Sequence, residues 1–204
     1  RAIAIKDAKY TGVRFQQDKE GNQYMIFIQH DPAGTNLANG FRPVTGRNPI
    51  RLPKNGMVMD LHLREDTINN TSNPLSSAYV KLDTDSEINS DVKVTDATTF
   101  SVVFSPAGKL IIHEVRARYL LDNSYNIIGA DDIFNDASEV DSGRSMFYRD
   151  NYPNKGFGQE VSRNHFIIVD KIEFNKVPEE SRWTDYLQYL NPIYINPYSG
   201  ELID

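Results

Sequence analysis

Apolar and polar residues alternate cleanly over MVMDLHL (57–63). Met57, Met59, Leu61 and Leu63 share one face and Val58, Asp60, His62 and Arg64 the other, which predicts a half-buried strand. TGVRFQ and QYMIFIQH flank QDKEGN, whose Gly21 and Asn22 supply turn chemistry, so residues 11–30 predict a hairpin. In TTFSVVFSPAGKLIIHE (98–114) Phe100, Val102 and Phe104 point one way along a strand. Ser105, Pro106 and Gly108 then fill the first, second and fourth places of a type I turn. A return strand follows, with Ile111, His113, Val115 and Ala117 alternating with Ile112, Glu114 and Arg116. HFIIVDKIEF predicts another strand, with Phe166, Ile168, Ile172 and Phe174 on one face.

The period changes in SRWTDYLQYL, where Trp183, Tyr186, Leu187 and Leu190 fall at i, i+3, i+4 and i+7. That is an amphipathic helix, capped by Ser181 and ended by Asn191-Pro192. A short extended IYI and a turn, NPYSG, come after it. At the other end RAIAIKDAKY (1–10) has the residues of a helix but only the length of a tail. Residues 66–99, rich in Asn, Ser, Thr and Asp, predict long loops with at most short strands such as AYVKL. Residues 122–164 keep no period and predict a long irregular excursion. With no repeat and no linker, the expectation is one domain over 1–204, mainly β (α+β), with a helix near each end.

Composition agrees: Tyr and Phe number 11 and 10, and aromatic enrichment favours pleated structure. Lys plus Arg total 22 against 28 Asp plus Glu, a net charge of -6 that offers no overall attraction to nucleic acid or anionic lipid. There is no cysteine, hence no disulfide framework and no thiolate metal site. No apolar run reaches the roughly 18 residues of a membrane helix. The chain opens at Arg1 and not at methionine, so it reads as a processed or truncated piece of something longer.

Chemistry-bearing residues are scattered. No G-x-S-x-G elbow occurs, and Ser105 is explained by its turn, although contact with His113 across the hairpin is conceivable. His30, His62, His113 and His165 show no HExxH and no paired metal spacing. They read as four separately solvated or hydrogen-bonded side chains, with a zinc site assembled in space as the alternative. Two acidic loops raise the question of calcium: Asp83, Asp85 and Glu87 within 83–91, and Asp131, Asp132, Asp136 and Asp141 within 131–141. Neither fits the EF-hand, since in the first Ile88 stands where Gly is required and Val94 at the terminal Glu position, so both read as solvated loops, with a calcium-stabilised head as the alternative. Lys6, Lys9, Arg14, Arg116 and Arg118 form a candidate basic strip for DNA, without the aromatic platforms single-strand binders use. NNTS carries overlapping glycosylation sequons at Asn69 and Asn70. No catalytic, cofactor-binding or metal residue is assigned, and no cofactor is expected.

Several stretches together resemble the prepilin-like proteins of type II secretion and type IV pilus systems, nearest to minor pseudopilins of the GspH/FimT type. RAIAIKDAKYTGVRFQ looks like the end of the long pilin helix running into the first head strand, and IRLPKNGMVM (50–59) like the strand entry that follows. TFSVVFSPAGKLI (99–111) looks like the family's hairpin. DDIFNDASEVDSGRSMF, SRNHFIIVDKIEF and RWTDYLQYLNPIYINPYSG resemble a subgroup known by its prepilin cleavage and methylation signal.

The resemblance implies a pilin-like head of antiparallel sheets with the stub of an N-terminal helix. It implies a bacterial structural subunit, not an enzyme, whose missing apolar helix first anchors it in the inner membrane with the head in the periplasm. That helix later packs into the core of a secretion pseudopilus or cell-surface filament. The implied partners are other pilin or pseudopilin subunits and the assembly machinery. The isolated head is expected to be monomeric. The alternative is a minor pilin whose head binds DNA or a secreted substrate.

Overall fold

A six-residue helix, α1 (Ala2–Asp7), opens the chain. Ala8 closes it in the left-handed region (φ 51°), its N–H reaching the carbonyls of Ala4 and Ile5. The predicted hairpin follows: β1 (Thr11–Gln17) and β2 (Gln23–Asp31) pair antiparallel, Thr11 opposite Gln29 and Gln17 opposite Gln23. The computed structural model of the chain describes residues 1–17, 21–31, 40–44, 46–64, 79–111, 114–117 and 158–203. On β2 lie β3 (Gly40–Pro43) and β4 (Ile50–Arg51), and on the other side of β1 lies β8 (Phe100–Phe104). A second sheet runs β13 (Leu202–Ile203), β12 (Ile193–Ile195), β11 (His165–Asp170), β5 (Gly56–Met59). Two smaller ladders are β6 (His62–Arg64) with β7 (Tyr79–Lys81), and β9 (Glu114–Ala117) with β10 (Gly158–Val161). All these pairings are antiparallel. The described chain is thus mixed α+β and mostly strand.

Side-chain alternation builds layers. Phe15, Phe100, Val102 and Phe104 of the first sheet pack on Phe166 and Ile195 of the second, together with Ala4 of α1 and Leu110. The opposite face of the second sheet, through Met57, Met59, Ile167 and Val169, meets another core. That core holds Leu63, Leu82 and Ile88, Ala97 of α2 (Asp91–Ala97) and Phe174 of α3 (Lys171–Phe174). Trp183 of α4 (Arg182–Asp185), Tyr186, Leu187 and Leu190 complete it. Each such fully buried large side chain is worth about 1.5–3 kcal/mol. The middle sheet is therefore covered on both faces, and Val58 packs on one core while Met57 and Met59 pack on the other.

Gln23 ties the two sheets together. Its side-chain amide donates to the carbonyls of Val58 (2.7 Å) and Thr98 (2.8 Å), while its oxygen accepts from Val58 N (2.7 Å).

The turn after β8 is as expected, with Gly108 N–H donating to Ser105 O at 2.7 Å and Gly108 at φ +73°. The return strand is shorter than expected: among the described residues Leu110 bridges Phe104 and Ile111 N–H donates to Val103 O at 2.9 Å, while β9 pairs with β10. β10 thereby comes beside β8 and β9 beside β3, the two outer strands of the first sheet.

Other expectations need correcting. MVMDLHL is two strands in different sheets, broken at Asp60, whose N–H leaves the ladder to bond Ala97 O at 2.7 Å. The strand in HFIIVDKIEF stops at Asp170, because that carboxylate accepts from Ile172 N and Glu173 N and starts α3. Ile172 and Phe174 are helical, and Ile168 is 56% exposed, while Ile167 and Val169 carry the buried face. Residues 91–97 form a helix capped by Ser90 where loop was expected. The end of the expected excursion, residues 158–161, is β10, and most of the rest lies outside the described residues.

The amphipathic helix at 181–190 is broken into α4 and 3-10 turns at Glu179–Ser181 and Leu187–Tyr189, although its apolar face lies as expected. Ser181 does not cap it. Asp85, from a distant 3-10 turn, does so by accepting from Trp183 N (2.7 Å) and Thr184 N (3.0 Å). Hydrogen bonds from Thr184, the side chain first, hold the Asp85 carboxyl below its ordinary pKa. Asp85→Ala is expected to cost about 1 kcal/mol, the usual worth of a cap, read from the urea midpoint. Ser181→Ala should leave that midpoint in place.

Candidate functional site

Two short polar motifs, each with i, i+2 spacing, meet at the edge of the middle sheet. The β5–β11 pairing ends with Met59 opposite Ile167, and just beyond that end the side chains of residues 60–62 and 163–165 meet. Asp60 and His62 come from one side, Arg163 and His165 from the other. The Arg163 Nε donates to Asp60 Oδ2, and both side chains are nearly inaccessible, at 8% and 2% exposure. Arg163 is further held by its own backbone N–H, which donates to Ser101 O of β8 at 2.8 Å. The pair thus joins the two sheets.

His62 lies outward of this pair, its Nδ1 3.2 Å from Asp60 Oδ1. A carboxylate only accepts, so Nδ1 carries the proton and neutral His62 keeps its lone pair on Nε2. His165 is arranged alike: Nδ1 is 2.8 Å from the Asn164 side-chain oxygen. The two imidazoles meet edge to face, centroids 5.6 Å apart at 69°, and Tyr194 lies against His165 at 5.4 Å.

Burial lowers the His165 pKa from its ordinary 6.5; Asp60 opposes this, and His62 and Arg163 add to it. The native state therefore disfavours the protonated imidazole. Its sign is fixed: the contribution to stability is intact above pH 6.5 and falls as pH drops below that value, where the unfolded chain takes up the proton more readily. Urea midpoints in metal-free buffer should fall between pH 7.5 and 5 more steeply for the native chain than for His165→Gln.

The remaining candidates disperse. His30 lies between the rings of Tyr10 (6.2 Å) and Phe41 (5.5 Å), away from His62 and His165. Ser105 Oγ accepts from Lys109 N at 3.2 Å, as a turn residue should, and His113 lies outside the described residues. In the first acidic loop Asp85 is occupied by α4, and Glu87 Oε2 accepts from the backbone of Asp83 (2.7 Å) and Thr84 (3.0 Å). Those carboxylates form a joint between segments and do not converge on a cation. Among the described residues no group of three or more His, Cys, Asp or Glu is placed to hold a metal ion.

The loop 131–141, Asn69, Asn70 and Arg118 lie outside the described residues. Arg14 is no part of a basic strip. It is wholly buried, donating to Gln16 Oε1 (3.1 Å) and Ser101 Oγ (3.2 Å), while Lys6 is exposed on α1.

No single histidine of the sequence announces this junction. Its signal was present in D-x-H at 60–62 and R-x-H at 163–165, two opposite charges each two residues from an imidazole and therefore on its face. Among the described residues no helix is long and apolar enough to cross a membrane. No protein-family model, curated protein or solved structure matches the chain.

Proposed function

We propose that this chain is the head of a pilin-like subunit, belonging to a type II secretion pseudopilus or a type IV pilus-like filament. Its work on this reading is packing and docking, not catalysis. The arrangement of α1 supports it most: Ala4 is buried against the first sheet, and the helix passes through Ala8 directly into β1, an interior strand. The Arg1 Nε also donates to Gly108 O at 3.0 Å, tying the first turn to the β8 hairpin. A helical rod continuing from α1 would be keyed to the β head at both places, so a load on the rod would reach the sheet. The sequence likeness adds the order of its motifs, from RAIAIKDAKYTGVRFQ to NPYSG.

The reading requires an apolar helix of about 20 residues ahead of α1 in the gene product. It anchors the subunit in the inner membrane with the head in the periplasm, and then packs head-to-tail with other subunits in a filament whose contacts do not close. A DNA-binding head has less support, because Arg14 is buried. The test is fractionation of the full-length product in its own cell with in vivo cross-linking. Alkali-resistant association with the inner membrane and cross-links to pilin-like neighbours are expected. A freely soluble monomer without such cross-links overturns the proposal.

A further inference from the structure

We propose that His62 and His165 form a two-imidazole binding site for a borderline divalent metal ion of the zinc class. Both rings present the same atom. His62 is fixed through Nδ1 by Asp60 and His165 through Nδ1 by Asn164, so each neutral ring has its Nε2 lone pair to give. Metal-binding histidines are held in this way, by an oxygen acceptor on the far ring nitrogen that sets tautomer and orientation.

The spacing suits the ion. Two imidazoles on one tetrahedral ion, at the usual Zn–N distance, have centres about 5 Å apart, and these lie at 5.6 Å. Side-chain rotation must bring the two Nε2 atoms onto one ion, and there is room for it: the His62 side chain is 30% exposed and His165 is half-buried. Asp60 beneath His62 does not move with it, because it is held by the buried Arg163. That arginine's charge is already neutralised by Asp60, so a cation at the imidazoles does not face a bare guanidinium.

Nitrogen donors select the metal class. Calcium and magnesium take oxygen, whereas imidazole suits Zn²⁺, Ni²⁺ and Cu²⁺. With only two protein ligands, the other positions go to water.

Zinc titration of the 204-residue chain at pH 7.5, by calorimetry and by histidine ring NMR, tests this. One Zn²⁺ per chain is expected, with the ring signals of His62 and His165 shifting together in the native protein. His62→Gln and His165→Gln should each weaken binding by about tenfold or more, as should Asn164→Ala through the lost support. His30→Gln should bind as the native chain does, and circular dichroism checks that each variant is folded. The proposal is overturned by absence of binding at millimolar zinc. Zinc that shifts other histidines, or binding that survives the double His62→Gln/His165→Gln variant, also overturns it.

Discussion

Arg163→Leu is expected to lower the unfolding free energy by about 3–5 kcal/mol, the usual cost of stranding one member of a buried ion pair. The argument is one of solvation. Asp60 retains 2% exposure at the edge of the middle sheet, so a carboxylate left without its guanidinium does not reach water, and its remaining partner is the His62 ring, whose Nδ1 lies 3.2 Å from Oδ1. It must stay charged at a cost or take up a proton. The double variant Asp60→Leu/Arg163→Leu removes both charges and should recover most of the loss, since an apolar pair of similar size is often neutral or better. Urea unfolding reads both, and an unchanged slope would show that the compactness of the two end states is unaffected. A single variant losing less than about 1 kcal/mol would mean that the pair is solvated as surface bridges are.

Gly12→Ala is the second large effect, at about 3 kcal/mol or more, the upper end of what overpacking costs. Gly12 sits within β1 opposite Val103 of β8. A Cβ there would lie 2.8 Å from the Cα of Val103 and closer still to the Val102 carbonyl oxygen. Those atoms are backbone, so no side-chain rotation relieves the contact, and β8 must move away from β1. Because Phe100, Val102 and Phe104 of β8 line the core between the sheets, the displacement is felt well beyond the ladder. Gly46→Ala is the contrast: unlike Gly12 it has the positive φ of a turn, and a Cβ there meets nothing within 4 Å. Strain at such a φ costs about 1–2 kcal/mol, less than the loss at Gly12.

These two sites also mark what could be read from the chain alone. Alternation placed Phe100, Val102 and Phe104 on one face, and set Met57, Met59, Leu61 and Leu63 toward a core, because a two-residue period depends only on local geometry. The turn at Ser105–Gly108 was legible for the same reason. Nothing in GVRFQ says that Gly12 is pressed by another strand, since that contact is made across 90 residues of chain. The starts of α3 and α4 show a similar limit. Asp170 caps from within its own segment, whereas Asp85 caps α4 from a distant turn and by sequence reads as a solvated loop carboxylate with calcium as the alternative. Arg14 looked like surface charge, but β1 is an interior strand and Arg14 lies on a covered face, bonded to Gln16 and Ser101. The cluster at Asp60, His62, Arg163 and His165 depends on the β5–β11 register, which joins residues about 100 positions apart.

The most direct measurement of the proposed role is mass spectrometry of the mature protein's N-terminus, purified from its own cells. The filament-subunit account predicts a processed, N-methylated first residue followed by about 20 apolar residues that lead into RAIAIKDAKY. A polypeptide that reaches Arg1 from its initiator methionine with no such apolar segment would contradict it.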